Sequence, residues 1–162
     1  MAILTYSARI LLAQYMMTHP LHLAIGTGKE SWDEEVEPPE YDATRLINEV
    51  GRKKITRWLF VNEDDDGEIH LPGKRHYSYS EIPTRHVYME FDFDYEEGID
   101  VAIREVGVFA DTQVKSGLPA SQTYFTPDQI VSKGTLITLE HLEVADRFTP
   151  NRRGIYGTVL SI

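Results

Sequence analysis

The chain has 162 residues, of which 41% are hydrophobic and 26% charged, so it is long enough to bury a real core and is not compositionally disordered. Its formal net charge of -10 and pI near 5.0 oppose non-specific attraction to phosphate backbones and anionic membranes, which argues against nucleic-acid and membrane partners. It contains no cysteine, which excludes disulfides, thiolate catalysis and cysteine-based zinc sites.

The apolar run Ile10 to Ala13 follows Arg9 but is short and lacks a small-residue cleavage site, so it reads as mature protein and not as a signal peptide. Ser7 is placed to cap a helix running to about Thr18, in which Ala8, Leu11, Leu12, Tyr15 and Met16 recur on one apolar face. Pro20 ends it. Leu21 to Ile25 then reads as a short strand closed by Gly26-Thr27-Gly28.

Residues 29 to 43 are an exposed acidic loop by composition, with Pro38-Pro39 inside it. Trp32 stands out there as an anchor to the body or to a neighbouring protein. Thr44 is expected to cap a short helix with Leu46, Ile47 and Val50 inward, ended by Gly51 in the left-handed region.

The period then changes to two. Ile55 to Val61 reads as a strand, and the acidic Asn62 to Gly67 as a hairpin turn on its Asp66-Gly67 pair. His70 to Pro83 looks irregular, with Tyr77 and Tyr79 on one side if extended. In residues 86 to 95, Val87, Met89, Phe91, Phe93 and Tyr95 share one face and His86, Tyr88, Glu90, Asp92 and Asp94 the other, the alternation of a half-buried antiparallel strand.

Ile99 to Phe109 follows across Glu96-Glu97-Gly98, so the two strands are expected to form a hairpin. Gly107 at its centre marks a bulge or the close approach of another backbone. Arg104 and Glu105 point to opposite faces, and each therefore needs its own partner. Thr135 to Val144, a basic turn from Arg147 to Gly154, and a last strand from Ile155 to Ile162 complete the chain. The fold expected is mainly β (α+β): an antiparallel β-sandwich or open barrel with an N-terminal helix and one short helix on the periphery. Its divisions are an N-terminal helical arm over 1–20, a β domain over 21–112 and a C-terminal β extension over 113–162.

Several patterns invite a chemical reading. Gly26-Thr27-Gly28-Lys29 fails as a phosphate loop, because Leu23 and Glu30 occupy required positions, and Ser31 stands where a dinucleotide fingerprint needs its third Gly. Asn62, Asp64, Asp66, Gly67 and Ile69 match the first half of a calcium loop, but Gly73 replaces the bidentate Glu. His19 with His22 and His70 with His76 lack zinc spacing. The Glu90, Asp92, Asp94 row is a hydrolase candidate only if one carboxyl has a raised pKa in a cleft. No catalytic, metal or cofactor-binding residue is assigned, no cofactor is expected, and the chain reads as a non-enzyme.

Three signatures occur in order: Leu23-Ala24-Ile25-Gly26-Thr27-Gly28; then Thr44, Leu46, Asn48-Glu49-Val50, Arg52 and Ile55; then Ile103-Arg104-Glu105-Val106-Gly107-Val108-Phe109-Ala110-Asp111. Over residues 21 to 112 this order resembles the N-terminal, virion-proximal domain of phage tail-collar fibre proteins and related baseplate components. The resemblance implies a structural virion protein of a tailed phage, a baseplate or tail-fibre attachment subunit without catalysis. Its expected partners are other tail or baseplate proteins, the tail fibre and further copies of itself, as a trimer or hexamer. Its expected location is the virion, after a soluble stage in the host cytoplasm. Residues 113 to 162 carry no shaft-like repeat, which fits an adaptor and not a host-binding tip. Leu11, Tyr15, Trp32, Arg104, Glu105, Ile155 and Tyr156 are the candidate interface residues. The alternative is a ligand-binding β-sandwich module, for sugar or calcium, with an exposed Tyr or Trp near the acidic turns.

Overall fold

A computed structural model describes residues 1–98, 101–143 and 154–162. Among these, one helix, α1 (Tyr6–Met16), precedes twelve strands: β1 (Leu21–Gly26), β2 (Glu49–Lys54), β3 (Arg57–Glu63), β4 (Ile69–Leu71), β5 (Arg75–Tyr79), β6 (His86–Phe93), β7 (Glu105–Ala110), β8 (Gln113–Val114), β9 (Tyr124–Phe125), β10 (Ile130–Ser132), β11 (Thr135–His141) and β12 (Gly154–Ser161). The expected fold class holds: antiparallel sheets dominate, with a helix at the N-terminus. The chain divides into two compact units. One comprises Met1–His19, Thr56–Phe91 and Tyr156–Ile162, and the other Pro20–Ile55 and Asp92–Ile155. The expected strand residues Ile99, Asp100 and Val144, and the basic turn from Arg147 up to Gly154, lie outside the described residues.

In the first unit the sheet runs β12-β6-β3-β5-β4. Val61, Tyr77 and Tyr88 form a buried cluster against which Ile69 and Leu71 of one edge strand and Val159 of the other both pack. A flat sheet keeps its edges apart, so sharing one core requires this sheet to curl toward a barrel. Residues 75 to 79, expected to be irregular, form β5, which pairs β3 from Val61↔Tyr79 to Glu63↔Tyr77. The turn at Asp66-Gly67 therefore does not join paired strands. The tight hairpin is β4–β5, closed through Gly73 and Lys74, both at positive φ. β6 is covered on both faces over its first half, His86 and Tyr88 included, so only its later residues show the expected one-sided alternation.

In the second unit the sheet runs β11-β7-β1-β2-β9. β1 and β7 are buried throughout, as their near-continuous apolar sequences require. The expected hairpin between residues 86 to 95 and the following strand does not form. β7 pairs with β1 and β11, whereas β6 pairs with β3 and β12. Gly107 is a close approach, as expected: a Cβ there would meet Leu136 Cδ1 at 2.8 Å, Leu46 Cδ1 at 2.9 Å and the Thr138 carbonyl at 3.1 Å. Leu46, Ala24 and Phe109 form the cluster that fills this space, with Leu136 and Leu139 against it.

The short helix expected over residues 44 to 50 is absent. Glu49–Lys54 is instead β2, paired with β1 from Gly26↔Glu49 to His22↔Lys54. Leu46, Ile47 and Val50 do have helical spacing, but strand pairing satisfies more backbone groups than one helical turn. Gly51 is not left-handed; a Cβ there would run into the Tyr124 ring.

The cap of α1 is Thr5, whose hydroxyl accepts the Ala8 N–H at 3.3 Å, two residues before the expected Ser7. Its apolar face also differs from expectation. Ala13 and Met17 are the buried residues, one turn apart, while Leu11, Leu12 and Tyr15 point to solvent.

Candidate functional site

The conspicuous construction in the second unit is a polar clamp that ties the acidic loop, residues 27 to 48, to the ends of β1 and β7. Glu105 is fully buried, and its carboxylate accepts the backbone N–H groups of Ile47 at 2.9 Å and Asn48 at 2.8 Å. This fixes the end of the loop. Gly26 leaves room for that carboxylate, since a Cβ there would lie 2.6 Å from Glu105 Oε1. Arg104 fixes the beginning. Its guanidinium donates to both carboxylate oxygens of Asp33, at 2.6 and 2.8 Å, and to the Thr27 carbonyl at 3.2 Å. The Asp33 carboxyl is held below its usual range by the hydrogen bond from Arg104. The two neighbours thus have separate partners, as strand alternation requires.

Trp32, directly before Asp33, anchors the same part of the loop. It is only 1% exposed and stacks on the His141 ring with centroids 4.0 Å apart. His141 Nδ1 lies 2.7 Å from the Glu37 carbonyl, and Lys29 pairs with the Glu37 side chain, lowering that carboxyl's pKa through a hydrogen bond. Gly28, at φ +54°, passes beneath the Trp32 ring, where a Cβ would come within 2.5 Å of it. The glycines that invited a phosphate-loop reading are therefore accounted for by packing against Glu105 and Trp32. Glu34, Glu35, Glu40 and Asp42 remain on the outside of a loop whose backbone is held at both ends.

Arg52 is the third member of the clamp. It is 1% exposed, donates to both oxygens of Glu49 at 2.6 and 3.0 Å, to the Thr112 hydroxyl at 2.7 Å and to the Lys133 carbonyl, and lies 3.8 Å from the Phe109 ring centroid. Gly26, Thr27 and Gly28, then Asn48, Glu49 and Arg52, then Arg104 and Glu105 bring residues of all three sequence signatures into the clamp.

Beside this network His22 is buried against Phe125, and its Nδ1 has no hydrogen-bond partner among the described residues. Burial first, and then the charges of Arg52 and Lys54, lower its pKa from 6.5 to about 4. The unfolded chain therefore takes up this proton before the folded chain does. Stability is whole above about pH 6.5 and should fall by roughly 3 kcal/mol as pH drops from 6.5 to 4. Replacing His22 by phenylalanine should remove that slope. Urea unfolding of both chains at pH 7 and pH 4.5 checks it, and equal pH slopes would contradict it.

The other chemical candidates are not assembled. No group of three or more His, Asp or Glu side chains among the described residues is placed to hold a metal ion. In the calcium-like turn, Asp64 Oδ1 accepts the Asp66 N–H at 3.1 Å, an internal turn contact. His70 and His76 stack as a cross-strand pair, with centroids 4.3 Å apart, and His76 Nδ1 lies 2.8 Å from the Asp65 carbonyl. Glu90 is held by both Arg57 donors at 2.9 Å and by the Tyr88 hydroxyl at 3.1 Å. Arg57 lowers its pKa, the opposite of what a general acid requires. Trp32, buried, offers no stacking face for a sugar.

Of the candidate interface residues, Trp32, Arg104, Glu105 and Tyr156 are buried, whereas Leu11, Tyr15 and Ile155 are exposed. Leu11 and Tyr15 are 66% and 64% exposed, and Met1, Ile3, Leu4 and Leu12 are exposed as well. Sequence periodicity found this stripe but not which side of the helix the chain leaves uncovered.

No helix among the described residues is long and apolar enough to cross a membrane. No curated protein matches the sequence. The family described as baseplate wedge 3 tail fiber network component matches residues 1–157, which includes α1, the clamped loop, strands β1 to β11 and the start of β12. The match extends the earlier resemblance from residues 21–112 to nearly the whole chain, on its baseplate side. The chain belongs to the family of baseplate wedge 3 tail fiber network components and is a phage baseplate protein.

Proposed function

We propose that this chain is a non-catalytic attachment subunit that joins tail components within the fibre network, working as a homo-oligomer with trimeric or hexameric symmetry. The observation that carries the reading is α1. It carries apolar residues on both sides: Ala13, with Met17 at its C-cap, is buried, while Leu11, Leu12 and Tyr15 are uncovered. An apolar helix stripe is ordinarily buried, so the uncovered one is a contact waiting for another chain. The clamped loop complements it. Its acidic side chains are displayed on a fixed backbone, which suits recognition by a basic surface better than a freely moving tail would.

The test is incorporation into tail particles of a chain carrying Leu11→Glu, Leu12→Glu and Tyr15→Glu. These side chains are exposed, so folding should be retained, with an unchanged melting curve. Incorporation should fall at least about tenfold, because three charges cannot enter an apolar contact without partners. Deleting Met1 to His19 should do the same. Normal incorporation of the triple variant would show that α1 is not the attachment point and would remove the main support for the reading.

A further inference from the structure

Resting on that reading, we infer that the uncovered face of α1 packs against α1 of a second copy of this chain. Ala8, Leu11, Leu12 and Tyr15 stand at i, i+3, i+4 and i+7, the spacing with which one helix inserts its side chains between those of another. They lie on the opposite side from Ala13 and Met17, so the contact leaves the fold of the unit undisturbed. Eleven residues of helix are marginal on their own in water, and cover on both faces supplies what length does not.

Charge selects the occupant. The chain carries 26 acidic residues and a net charge of -10, so two copies repel each other over most of their surfaces. The first acidic residue is Glu30. Over the preceding 29 positions the only Lys or Arg residues are Arg9 and Lys29, and no side chain of the uncovered face is charged. A symmetric contact brings each residue near its own copy and doubles any charge within it. This acid-free segment is where two such chains meet without that penalty. A lipid surface is disfavoured by the same count, since one arginine on α1 does not offset the charge of the rest of the chain.

The absence of cysteine makes the test direct. Leu11 lies at the middle of the face, so two helices crossing there bring residue 11 near residue 11 whether they run parallel or antiparallel. The 162-residue chain with Leu11→Cys, oxidised at high concentration, should run largely as a disulfide-linked dimer of twice 18.6 kDa. Tyr79→Cys, also exposed but on β5, should remain monomeric under the same conditions. In light scattering, Leu11→Glu should raise the dissociation constant of the unoxidised oligomer at least about tenfold.

Equal cross-linking of the two cysteine variants overturns the inference, as does a wild-type monomer at every concentration with no selective cross-link. Partition onto anionic phospholipid vesicles through α1 overturns it as well. If the copies do not associate while the triple glutamate variant is still excluded from particles, the face serves a different tail protein, and the attachment reading stands without the self-contact. If neither association nor incorporation depends on α1, both fall.

Discussion

Glu105→Ala should lower stability by about 4 kcal/mol and the Tm by about 10 °C in a chain of this length. The carboxylate accepts two backbone N–H groups, from Ile47 and Asn48, and each charge-assisted bond of this kind contributes about 1.5–3 kcal/mol. Alanine leaves both donors without an acceptor in a part-buried place and opens a void beside Gly26, which is a glycine because the carboxylate occupies its side-chain space. Glu105→Gln keeps the shape and one acceptor but sets an N–H₂ against the second N–H. It should cost about half as much. Thermal melts of the three chains give the ranking. Amide exchange at Ile47 and Asn48 locates the damage: protection there should fall before that of β7. A Tm for Glu105→Ala within about 2 °C of wild type would mean that the carboxylate does not hold the loop.

That carboxylate also shows what the sequence could and could not disclose. The segment around it was legible because its information is local: alternation sends Arg104 and Glu105 to different partners, and a glycine amid apolar residues announces a close approach. The partners themselves were not. Arg52 reaches Thr112 across 60 positions and Lys133 across 81, and Glu105 reaches the 47–48 backbone across more than 50, with no periodicity to signal any of it. The same distance dependence explains the failed hairpin between β6 and β7. Consecutive strands joined by Glu96-Glu97-Gly98 look like neighbours, yet each finds its pairing with a strand remote in sequence.

Residues 44 to 50 failed for a related reason. Their helical spacing is real, but Leu46 is spent filling the space over Gly107, and the backbone of Glu49–Lys54 is taken by β1. In α1 the apolar spacing is legible in the sequence, but the covered side is not. Apolar residues lie on both faces, so periodicity alone cannot say which stripe the chain covers itself. The buried pair is Ala13 and Met17, and the more conspicuous leucines and tyrosine are left outside.

Arg52→Met should cost about 3–5 kcal/mol, although methionine fits the apolar part of the site. The arginine is nearly solvent-free, so removing it leaves Glu49 without its bidentate donor and the Lys133 carbonyl and Thr112 hydroxyl short of a partner. It also removes the cation over the Phe109 ring, a smaller contribution of about 1–2 kcal/mol already within that range. If the uncompensated acid is the main cost, Arg52→Met with Glu49→Gln should recover part of the loss. If packing dominates, the double variant should be no more stable than the single one. The pH response separates the causes further. His22 is depressed chiefly by burial and secondarily by the Arg52 charge, so in Arg52→Met its pKa should rise from about 4 yet remain below 6.5. The destabilised variant should therefore lose less additional stability between pH 6.5 and 4 than the wild type does. A variant that was both less stable and equally acid-sensitive would show that the Arg52 charge is not felt at His22.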